Sequence, residues 1–389
     1  MSKVFLKPGK EKRIFLGHPW VFLSDIDRAA KSVMPGDLVG IYTKQGKYAA
    51  QGVYNPHSQI ALRILTTKDE SVDRAFIKKR VERAINYRRQ FADLKSCRLI
   101  HAEADGLPAI VVDSFGPVLS LQCVSLGMSR YQKTIVDSLV EILSPLGIYE
   151  RNDVPIRRLE GMEQSVGVLY GNIPDKVEMM ENGIRFLIDV KQGQKTGYFL
   201  DQKENRAAIA PFVKGSEVLD CFTHTGSFAL HAAKYGAASV LGVDISEFAC
   251  QSAEENLRMN SFENVSFKTA NAFDYLREES QAGKQFDVIV LDPPAFAKSK
   301  SNIEAATKGY KEINLRAMKM IRDGGYLVTC SCSQHILPAM FKDIVLQAAN
   351  DAGVSLMQVE FRSQGRDHPT LPAAMETQYL KCGIYRVSK

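Results

Sequence analysis

The sequence has no apolar segment close to the roughly 20 residues that a membrane-spanning helix requires. No secretory apolar region follows Met1, Ser2 and Lys3 either. Cysteine is sparse: the seven residues are scattered over 389, and their odd number does not suggest a disulfide framework. Internal repeats are absent, and a composition of 45% hydrophobic and 24% charged residues excludes disordered, collagen-like and coiled-coil classes. We therefore expect a cytoplasmic globular protein with free thiols and, at this length, two or three domains.

Basic residues are concentrated near the start of the chain. Residues 1–100 contain 20 Lys and Arg against 9 Asp and Glu, a net charge of +11, whereas residues 101–389 carry a net charge of −5. A basic region beside a mildly acidic remainder is typical of a protein that binds a polyanion. A solvated basic face without a partner explains the same charge equally well.

The first half of the chain predicts two small domains. Short apolar stretches alternate with turn residues in the first 70 residues, at 4–6, 20–22, 38–42, 48–54 and 60–65. This spacing predicts a small β-barrel over 1–70. Residues 72–95 place apolar side chains near a 3.6-residue period among many basic ones, which predicts a basic helix. That helix opens a central α+β domain, which we place at 71–188.

From about residue 189 onward, strands alternate regularly with helices. The predicted strands are 217–221, 239–244, 265–269, 286–292 and 325–330. Helical stretches lie between them, so the pattern predicts a doubly wound α/β sheet of mostly parallel order over 189–389.

Polar side chains follow the first four of these strands. Residues 220–228 read DCFTHTGSF, and their single glycine matches neither the dinucleotide fingerprint nor the phosphate-binding loop. Asp244 ends the second strand, where a carboxylate can bind ribose hydroxyls. Asn271 follows the third strand, beside the expected position of an adenine, and Asp292 ends the fourth. This set suits a nucleoside ligand and disfavours a dinucleotide or a triphosphate.

In this order and at these spacings, the segments resemble those of the Rossmann-like S-adenosylmethionine-dependent methyltransferases. The resemblance covers about 200 residues and implies S-adenosylmethionine as the cofactor. The residues that it implies as cofactor contacts are Asp220, Cys221, Phe222, Thr223, Gly226, Ser227, Asp244, Ile245, Asn271, Ala272, Asp292 and Pro293.

A second resemblance is more specific. Residues 191–206 read KQGQKTGYFLDQKENR and resemble the K-T-G-[FY]-F-L-D-Q-[RK]-x-N-R signature of the large-subunit ribosomal RNA methyltransferase I family (RlmI-like enzymes). Residues 6–11 (LKPGKE) and 17–22 (GHPWVF) resemble the signature of that family's N-terminal PUA domain. The resemblance runs over essentially the whole chain and implies large-subunit ribosomal RNA as the partner. It also implies cofactor contacts from Tyr198, Phe199, Gln202 and Arg206.

Two cysteines follow the fifth strand in residues 329–334, TCSCSQ. Their spacing does not indicate a metal site, because no second Cys or His pair completes four ligands. This ending resembles the catalytic motif of RNA cytosine-5 methyltransferases, in which the nucleophile falls on Cys332 rather than Cys330. The resemblance makes Cys332 and Asp292 catalytic and gives Pro294, Phe296 and Lys298 to the substrate, with Phe296 stacking on the target base.

One departure keeps alternatives open. Many RNA cytosine-5 enzymes have a second cysteine where this chain has Ala295, and Asp292-Pro293-Pro294 followed by Phe296 also resembles motifs of enzymes that methylate base nitrogens. Methylation of a purine ring or exocyclic nitrogen is therefore the second hypothesis. A non-catalytic ribosome-assembly factor that binds RNA and the cofactor is the third. The sequence indicates no metal and no membrane partner, and it leaves the oligomeric state open, a homodimer included.

Overall fold

In the computed structural model, residues 1–297 and 299–389 are described, and they form two compact units. The first unit comprises Met1–Met179, Ile188–Leu200 and Arg366–Thr377. The second comprises Met180–Leu187, Asp201–Gly365 and Gln378–Lys389. The β-hairpin that runs from Val177 to Ile188 contains the first two boundaries between the units.

The first unit begins with a six-stranded mixed sheet in the order β2-β6-β5-β4-β1-β3. Its elements are β1 (Ser2–Leu6), α1 (Glu11–Phe15), β2 (Trp20–Val21), β3 (Ile26–Ala29), β4 (Leu38–Tyr42), β5 (Tyr48–Tyr54) and β6 (Leu62–Thr66). The stretches predicted as strands all contribute to this sheet. The prediction missed α1 and β3, because β3 reads IDRA and presents little apolar pattern.

A five-stranded sheet in the order β11-β10-β9-β8-β7 follows in the same unit. The five strands and the helices that adjoin them are α2 (Arg74–Arg88), β7 (Ser96–His101), β8 (Ile110–Phe115), β9 (Val118–Cys123), α3 (Leu126–Ser129), α4 (Gln132–Leu143), β10 (Gly147–Arg151), α5 (Ile156–Leu159) and β11 (Val166–Gly171). The basic helix α2 begins where Asp73 Oδ1 accepts a hydrogen bond from the Phe76 amide at 2.9 Å. Its apolar face is buried, and the helix ends seven residues earlier than the sequence predicted.

Two segments of the predicted methyltransferase domain belong to the first unit. In 188–200, Thr196 Oγ1 donates a 2.6 Å hydrogen bond to buried Asp113. In 366–377, the backbone carbonyl of Asp367 accepts from Arg88 Nη2 at 2.8 Å. The predicted boundary at 189 therefore differs from this division, because buried polar contacts between residues distant in sequence hold both segments.

The second unit contains a seven-stranded sheet in the order β16-β15-β14-β17-β18-β20-β19. The remaining elements of the chain are β12 (Val177–Glu181), β13 (Ile184–Ile188), α6 (Lys203–Ala208), α7 (Ala210–Val213), β14 (Glu217–Cys221), α8 (Ser227–Lys234), β15 (Ser239–Asp244), α9 (Glu247–Asn260), β16 (Val265–Thr269), α10 (Ala272–Gln281), β17 (Phe286–Leu291), α11 (Ile303–Met320), β18 (Ile321–Ser331), α12 (Pro338–Ala352), β19 (Ser355–Arg362) and β20 (Lys381–Ser388).

Strands β14 to β18 are parallel, which confirms the predicted α/β architecture. Successive residues of each strand pack into cores on opposite faces of the sheet, as Val218 and Leu219 do in β14. The chain order reverses at β14, which has β15 on one side and β17 on the other. Ligands of such sheets bind at this switch point, outside the carboxyl ends of the strands.

Arg88 is the most deeply buried cation of the first unit, and its removal tests how that unit is held. Its side chain has no exposed surface and donates to Asp105 at 2.6 Å and to the carbonyls of Arg98 and Asp367. Arg88→Met leaves the Asp105 carboxylate and these carbonyls without that donor, so we expect a loss of about 3–5 kcal/mol in unfolding free energy. Urea unfolding followed by fluorescence of Trp20, the only tryptophan, measures it within the first unit.

The matched control is Arg89→Met, which changes the next residue, an exposed arginine, in the same way. We expect it to alter the unfolding free energy by less than about 0.5 kcal/mol. Equal effects of the two substitutions would contradict the assignment of Arg88 as a buried anchor.

Candidate active site

The loop after β14 has an unusual backbone. Phe222 and His224 both adopt positive φ angles, of 64° and 51°, although neither is a glycine. Such conformations are disfavoured for large side chains and concentrate at functional sites. Gly226 begins α8 at φ 81°, and a Cβ there would lie 2.9 Å from the Phe267 ring, so glycine is required.

Asp220, near the end of β14, is the buried acid of this loop. Its Oδ2 accepts from Thr223 Oγ1 at 2.6 Å and from the Ala229 amide at 3.0 Å. Its Oδ1 is buried without a hydrogen-bond partner among the described residues. Burial, together with the nearby Asp292 and Asp244 carboxylates, raises the pKa of Asp220 to about 7 although Thr223 and Ala229 oppose the shift.

Asp244, at the end of β15, faces the same loop. One carboxylate oxygen accepts from the His224 amide at 2.9 Å, and the other accepts from the Ser246 amide at 2.9 Å. Its carboxylate is thereby held at the strand end where the sequence predicts a ribose-binding acid. Ile245, the next residue, is 69% exposed and offers an apolar surface beside that acid.

The predicted site segment that follows β17 also lies at the carboxyl edge of the sheet. Asp292 follows β17 and accepts a hydrogen bond from Gln202 Nε2 at 2.8 Å, which joins two residues that are 90 positions apart. Pro293 lies next to the cysteine motif, since its carbonyl is 3.9 Å from Cys332 Sγ. Pro294 is exposed. The structure therefore brings the predicted site residues Gln202, Asp292, Pro293 and Cys332 together.

The two candidate nucleophiles differ sharply in environment. Cys330 is fully buried in β18 opposite Cys382 of β20, and burial together with Cys382 raises the pKa of its thiol. Cys332 lies just beyond the end of β18 and is partly exposed. The other six cysteines are all buried. A buried apolar thiol is inert, so Cys332 is the cysteine that fits a nucleophile.

A row of aromatic rings connects the loop after β14 with the elements that surround the cysteine motif. Ring centroids are 6.2 Å apart for Phe222 and Phe273, 5.6 Å for Phe273 and Phe296, and 4.5 Å for Phe296 and Tyr310. Phe296 thus packs on one side against Tyr310 and remains half-buried. The Tyr310 hydroxyl shares hydrogen bonds with the hydroxyls of Ser331 and Ser333, which flank Cys332 in sequence.

Some predicted site residues have other surroundings. Arg206 is 2% exposed and donates to both carboxylate oxygens of Glu181, at 2.6 and 3.0 Å, so its guanidinium forms a buried ion pair where the prediction expected a cofactor contact. Tyr198 and Phe199 belong to the first unit, where Tyr198 is buried and Phe199 lies under the Lys195 amine. Lys298 lies outside the described residues.

The remaining predicted residues shape the loops through their backbone. The side chain of Asn271 caps α10 by accepting from the Phe273 amide, and Ala272 is buried at the start of that helix. Cys221 is buried in the core, and burial raises the pKa of its thiol well above the usual value. Ser227 is the first residue of α8. Cys221 and Ala272 therefore present only their main chain to a ligand.

The acidic side chains of this site fit a nucleoside cofactor that carries positive charge. Asp220, Asp244 and Asp292 lie close enough for their charges to interact, and the second oxygen of Asp220 is buried with no partner among the described residues. Carboxylates bind hydroxyl and ammonium groups and stabilise a cation nearby. S-Adenosylmethionine has ribose hydroxyls, an ammonium group and a sulfonium, so the residues present match it.

Sequence reasoning missed two residues of this site, Tyr310 and Lys381. Tyr310 is buried in α11, and Lys381 is the first residue of β20, 48 positions beyond the Ser333 carbonyl that it contacts. No local motif marks either residue, because β20 reaches the cysteine motif only through the antiparallel pairing of the last strands.

Two family models match the chain. A PUA-like domain matches residues 4–67, and an S-adenosylmethionine-dependent methyltransferase matches residues 158–386. The fold agrees with a Streptococcus mutans protein assigned as an S-adenosylmethionine-dependent methyltransferase, at a TM-score of 0.84 and 19% identity over 99% of this chain and 100% of that one. The fold and site therefore define an S-adenosylmethionine-dependent methyltransferase with an N-terminal PUA-like domain.

Curated relatives narrow the class. The protein named ribosomal RNA large subunit methyltransferase I is 42% identical in Shewanella frigidimarina and 40% identical in Pseudoalteromonas atlantica. Each alignment covers 99% of this chain and 99% of the relative. The chain belongs to this ribosomal RNA large subunit methyltransferase I family.

No helix among the described residues is long and apolar enough to cross a membrane. Within residues 1–297 and 299–389, no group of three or more His, Cys, Asp or Glu is placed to hold a metal ion. The homodimer that the sequence left open stays a prediction.

The raised pKa of Asp220 predicts a pH dependence of stability. Its pKa rises from 3.8 to about 7 on folding, so the folded state holds this proton more tightly. Its contribution to stability is complete below about pH 4 and is lost as the pH rises through about 7. Asp220→Asn removes this dependence, and the wild-type unfolding free energy should fall relative to the variant by up to about 1.4 kcal/mol per pH unit in that window.

Urea unfolding followed by circular dichroism between about pH 4 and pH 8 measures both curves. Trp20 fluorescence in the same samples serves as the control, since it reports the first unit, which lacks Asp220. Parallel curves for the two proteins would show that Asp220 does not retain its proton.

Proposed function

We propose that this enzyme methylates C5 of a cytosine in large-subunit ribosomal RNA and uses the Cys332 thiolate as its nucleophile. The observation that carries the proposal is the contrast between the two cysteines of the motif. Cys332 is partly exposed beside Pro293 at the carboxyl edge of the sheet, whereas Cys330 is buried against Cys382. Methylation of a base nitrogen needs no thiol at this position.

The reaction requires covalent assistance because C5 of cytosine is a weak nucleophile. The Cys332 thiolate adds to C6, which forms a sulfur–carbon bond and shifts the C5–C6 π electrons so that C5 becomes nucleophilic. When bound, S-adenosylmethionine supplies an electrophilic methyl group, whose bond to the sulfonium sulfur breaks as the bond to C5 forms and leaves a neutral thioether. After C5 is methylated, loss of its proton to water returns electrons to the ring and breaks the sulfur–carbon bond, which restores the thiolate.

Asp292 and Phe296 support this chemistry on the substrate side. The Asp292 carboxylate can hydrogen-bond the base near N3 and stabilise a proton there as the thiolate adds. Gln202 Nε2 holds that carboxylate at 2.8 Å. Phe296 is half-buried against Tyr310 and would stack on a base that has left its helix, and the exposed Pro294 would contact the same base.

The first unit supplies an RNA-binding cleft. A cavity of about 440 Å³ lies between β6 and α2, and its basic lining residues are His18, Lys68, Lys79, Arg80 and Arg83. Lys68, Lys79 and Arg83 are exposed, and Arg80 donates to the Gly106 carbonyl. Exposed cations on a rigid cleft bind RNA phosphates. A cytoplasmic location is part of the proposal, because ribosomal RNA is the proposed substrate.

Replacing the nucleophile tests the chemistry. We expect Cys332→Ala to lower methylation by about three orders of magnitude or more, because C5 cannot be activated without the thiolate. Cys330→Ala is the control and should retain most activity, since its thiol is buried. Large-subunit ribosomal RNA from a strain lacking the enzyme is incubated with labelled S-adenosylmethionine, digested to nucleosides and analysed by mass spectrometry.

Label in 5-methylcytidine that requires Cys332 supports the proposal. Label in a methylated guanosine or adenosine would overturn the thiolate mechanism and establish the base-nitrogen alternative. Binding of RNA and cofactor with no labelled product would identify a non-catalytic assembly factor.

The cleft predicts a salt-dependent contribution to RNA affinity. Combined Lys79→Ala and Arg83→Ala substitutions remove two cations, and each phosphate contact contributes about 0.7–0.9 to the slope of log affinity against log salt concentration. We expect the slope to fall by about 1.5, with weaker binding at low salt. Fluorescence anisotropy with a ribosomal RNA fragment measures it, and the exposed Lys133→Ala in α4 is the control. An unchanged slope would exclude this cleft as a phosphate-binding surface.

A further inference from the structure

Lys381, the first residue of β20, is buried although it carries an amine. Its side chain is 1% exposed, and it pairs in register with Ser331 at the end of β18. No carboxylate among the described residues lies within ion-pair distance of its Nζ. Burying an ammonium group without a compensating charge is costly, so the position calls for a specific partner.

The amine of Lys381 is hydrogen-bonded to the residue that follows Cys332. Nζ donates to the carbonyl of Ser333 at 2.7 Å and to the carbonyl of Tyr379 at 2.8 Å. Ser333 is the residue after Cys332, and its hydroxyl accepts from the Ala297 amide at 3.1 Å. These contacts give both the amine and the Cys332 loop a defined position.

The charge of the amine acts on Cys332. Burial lowers the pKa of Lys381 to about 8, so the amine remains mainly protonated at pH 7. Cys332 is the ionisable group that opposes this shift and raises the pKa of Lys381. A thiolate at Cys332 therefore attracts the ammonium, and by reciprocity the ammonium favours the thiolate.

Other titratable groups of the described residues also lie on the elements around Cys332. They are Cys330 in β18, Asp292 after β17, Tyr310 in α11, Cys382 in β20 and His335 in the loop of Cys332 itself. Burial raises the pKa of Tyr310 to about 12, so its phenol is neutral near pH 7. Asp292 is an acid and opposes a thiolate.

We propose that Lys381 is a positioning residue that holds its ammonium group at the Ser333 carbonyl next to Cys332, favours the thiolate and so prepares the nucleophile for addition to the base. The inference deepens the proposed function and rests on it for its catalytic meaning. The thiol proton leaves to solvent, and Lys381 keeps its own proton throughout. A neutral clamp would hold the Ser333 carbonyl equally well, so the charge is what distinguishes this role from a structural one.

The test measures the reactivity of the thiol itself and needs neither RNA nor S-adenosylmethionine. The full chain is treated with iodoacetamide over a range of pH, and the rate of Cys332 alkylation is followed by peptide mass spectrometry. The other six cysteines are buried, so the native protein reacts mainly at Cys332, and Cys332→Ser confirms the assignment. Because only the thiolate reacts, the pH midpoint of the rate reports its pKa.

In the wild type we expect this midpoint to lie below the value of about 8.5 of a free cysteine. Lys381→Met should move it upward by about one pH unit or more, which slows alkylation at pH 7 about tenfold. Lys381→Arg keeps the charge and should restore a low midpoint. The matched control is Lys308→Met, which removes a 76%-exposed lysine of α11 in the same unit.

Each outcome decides the inference. A wild-type midpoint at or above that of free cysteine overturns it, whether or not any variant folds. An unchanged midpoint in folded Lys381→Met, with only the plateau rate altered, reduces Lys381 to a structural clamp and overturns it as well. A shifted midpoint together with label in a purine nucleoside supports the lysine–cysteine coupling and refutes the cytosine mechanism, so the two proposals fail separately.

Discussion

The parallel pairing of β14 with β17 is the constraint on which the site depends. Cys221 of β14 lies opposite Leu291 of β17, so the segments that follow these two strands leave the sheet side by side at the switch point. Burial raises the pKa of Asp220, and that register brings the Asp292 carboxylate close enough to raise it further. A one-residue slip of β17 would turn its core side chains to the other face and break both cores together.

Buried charge has three different solutions in the second unit. Arg206 and Glu181 neutralise each other as a paired ion, far more stable than either charge alone. Asp220 instead has one carboxylate oxygen without a hydrogen-bond partner among the described residues, which suits a residue that binds a cationic ligand. Lys381 has carbonyl acceptors and a thiol neighbour. A paired buried ion is typical of a structural role, whereas incompletely paired groups such as Asp220 and Lys381 are typical of functional sites.

The sequence predicted the central strands well because strands buried on both faces read as continuous apolar runs, as in 286–291. It did not predict β19, whose residues are largely exposed, or the antiparallel β20 beside β18. Arg206 fell within a family signature and was expected at the cofactor, but its partner Glu181 lies 25 residues away, across a hairpin that no local pattern connects to it.

By itself, the sequence determined the α/β class, the loops that follow β14, β15 and β17, and the choice of residue types that suit a nucleoside and a thiol nucleophile. These features are local: they depend on periodicity and on a few adjacent residues. Only the tertiary structure decided which thiol is exposed, that one Asp220 oxygen is buried without a hydrogen-bond partner among the described residues, and that Lys381 binds the carbonyl of Ser333 next to Cys332. The burial of a side chain and its hydrogen-bond partners depend on strand pairing between distant segments. A short sequence motif does not specify those contacts.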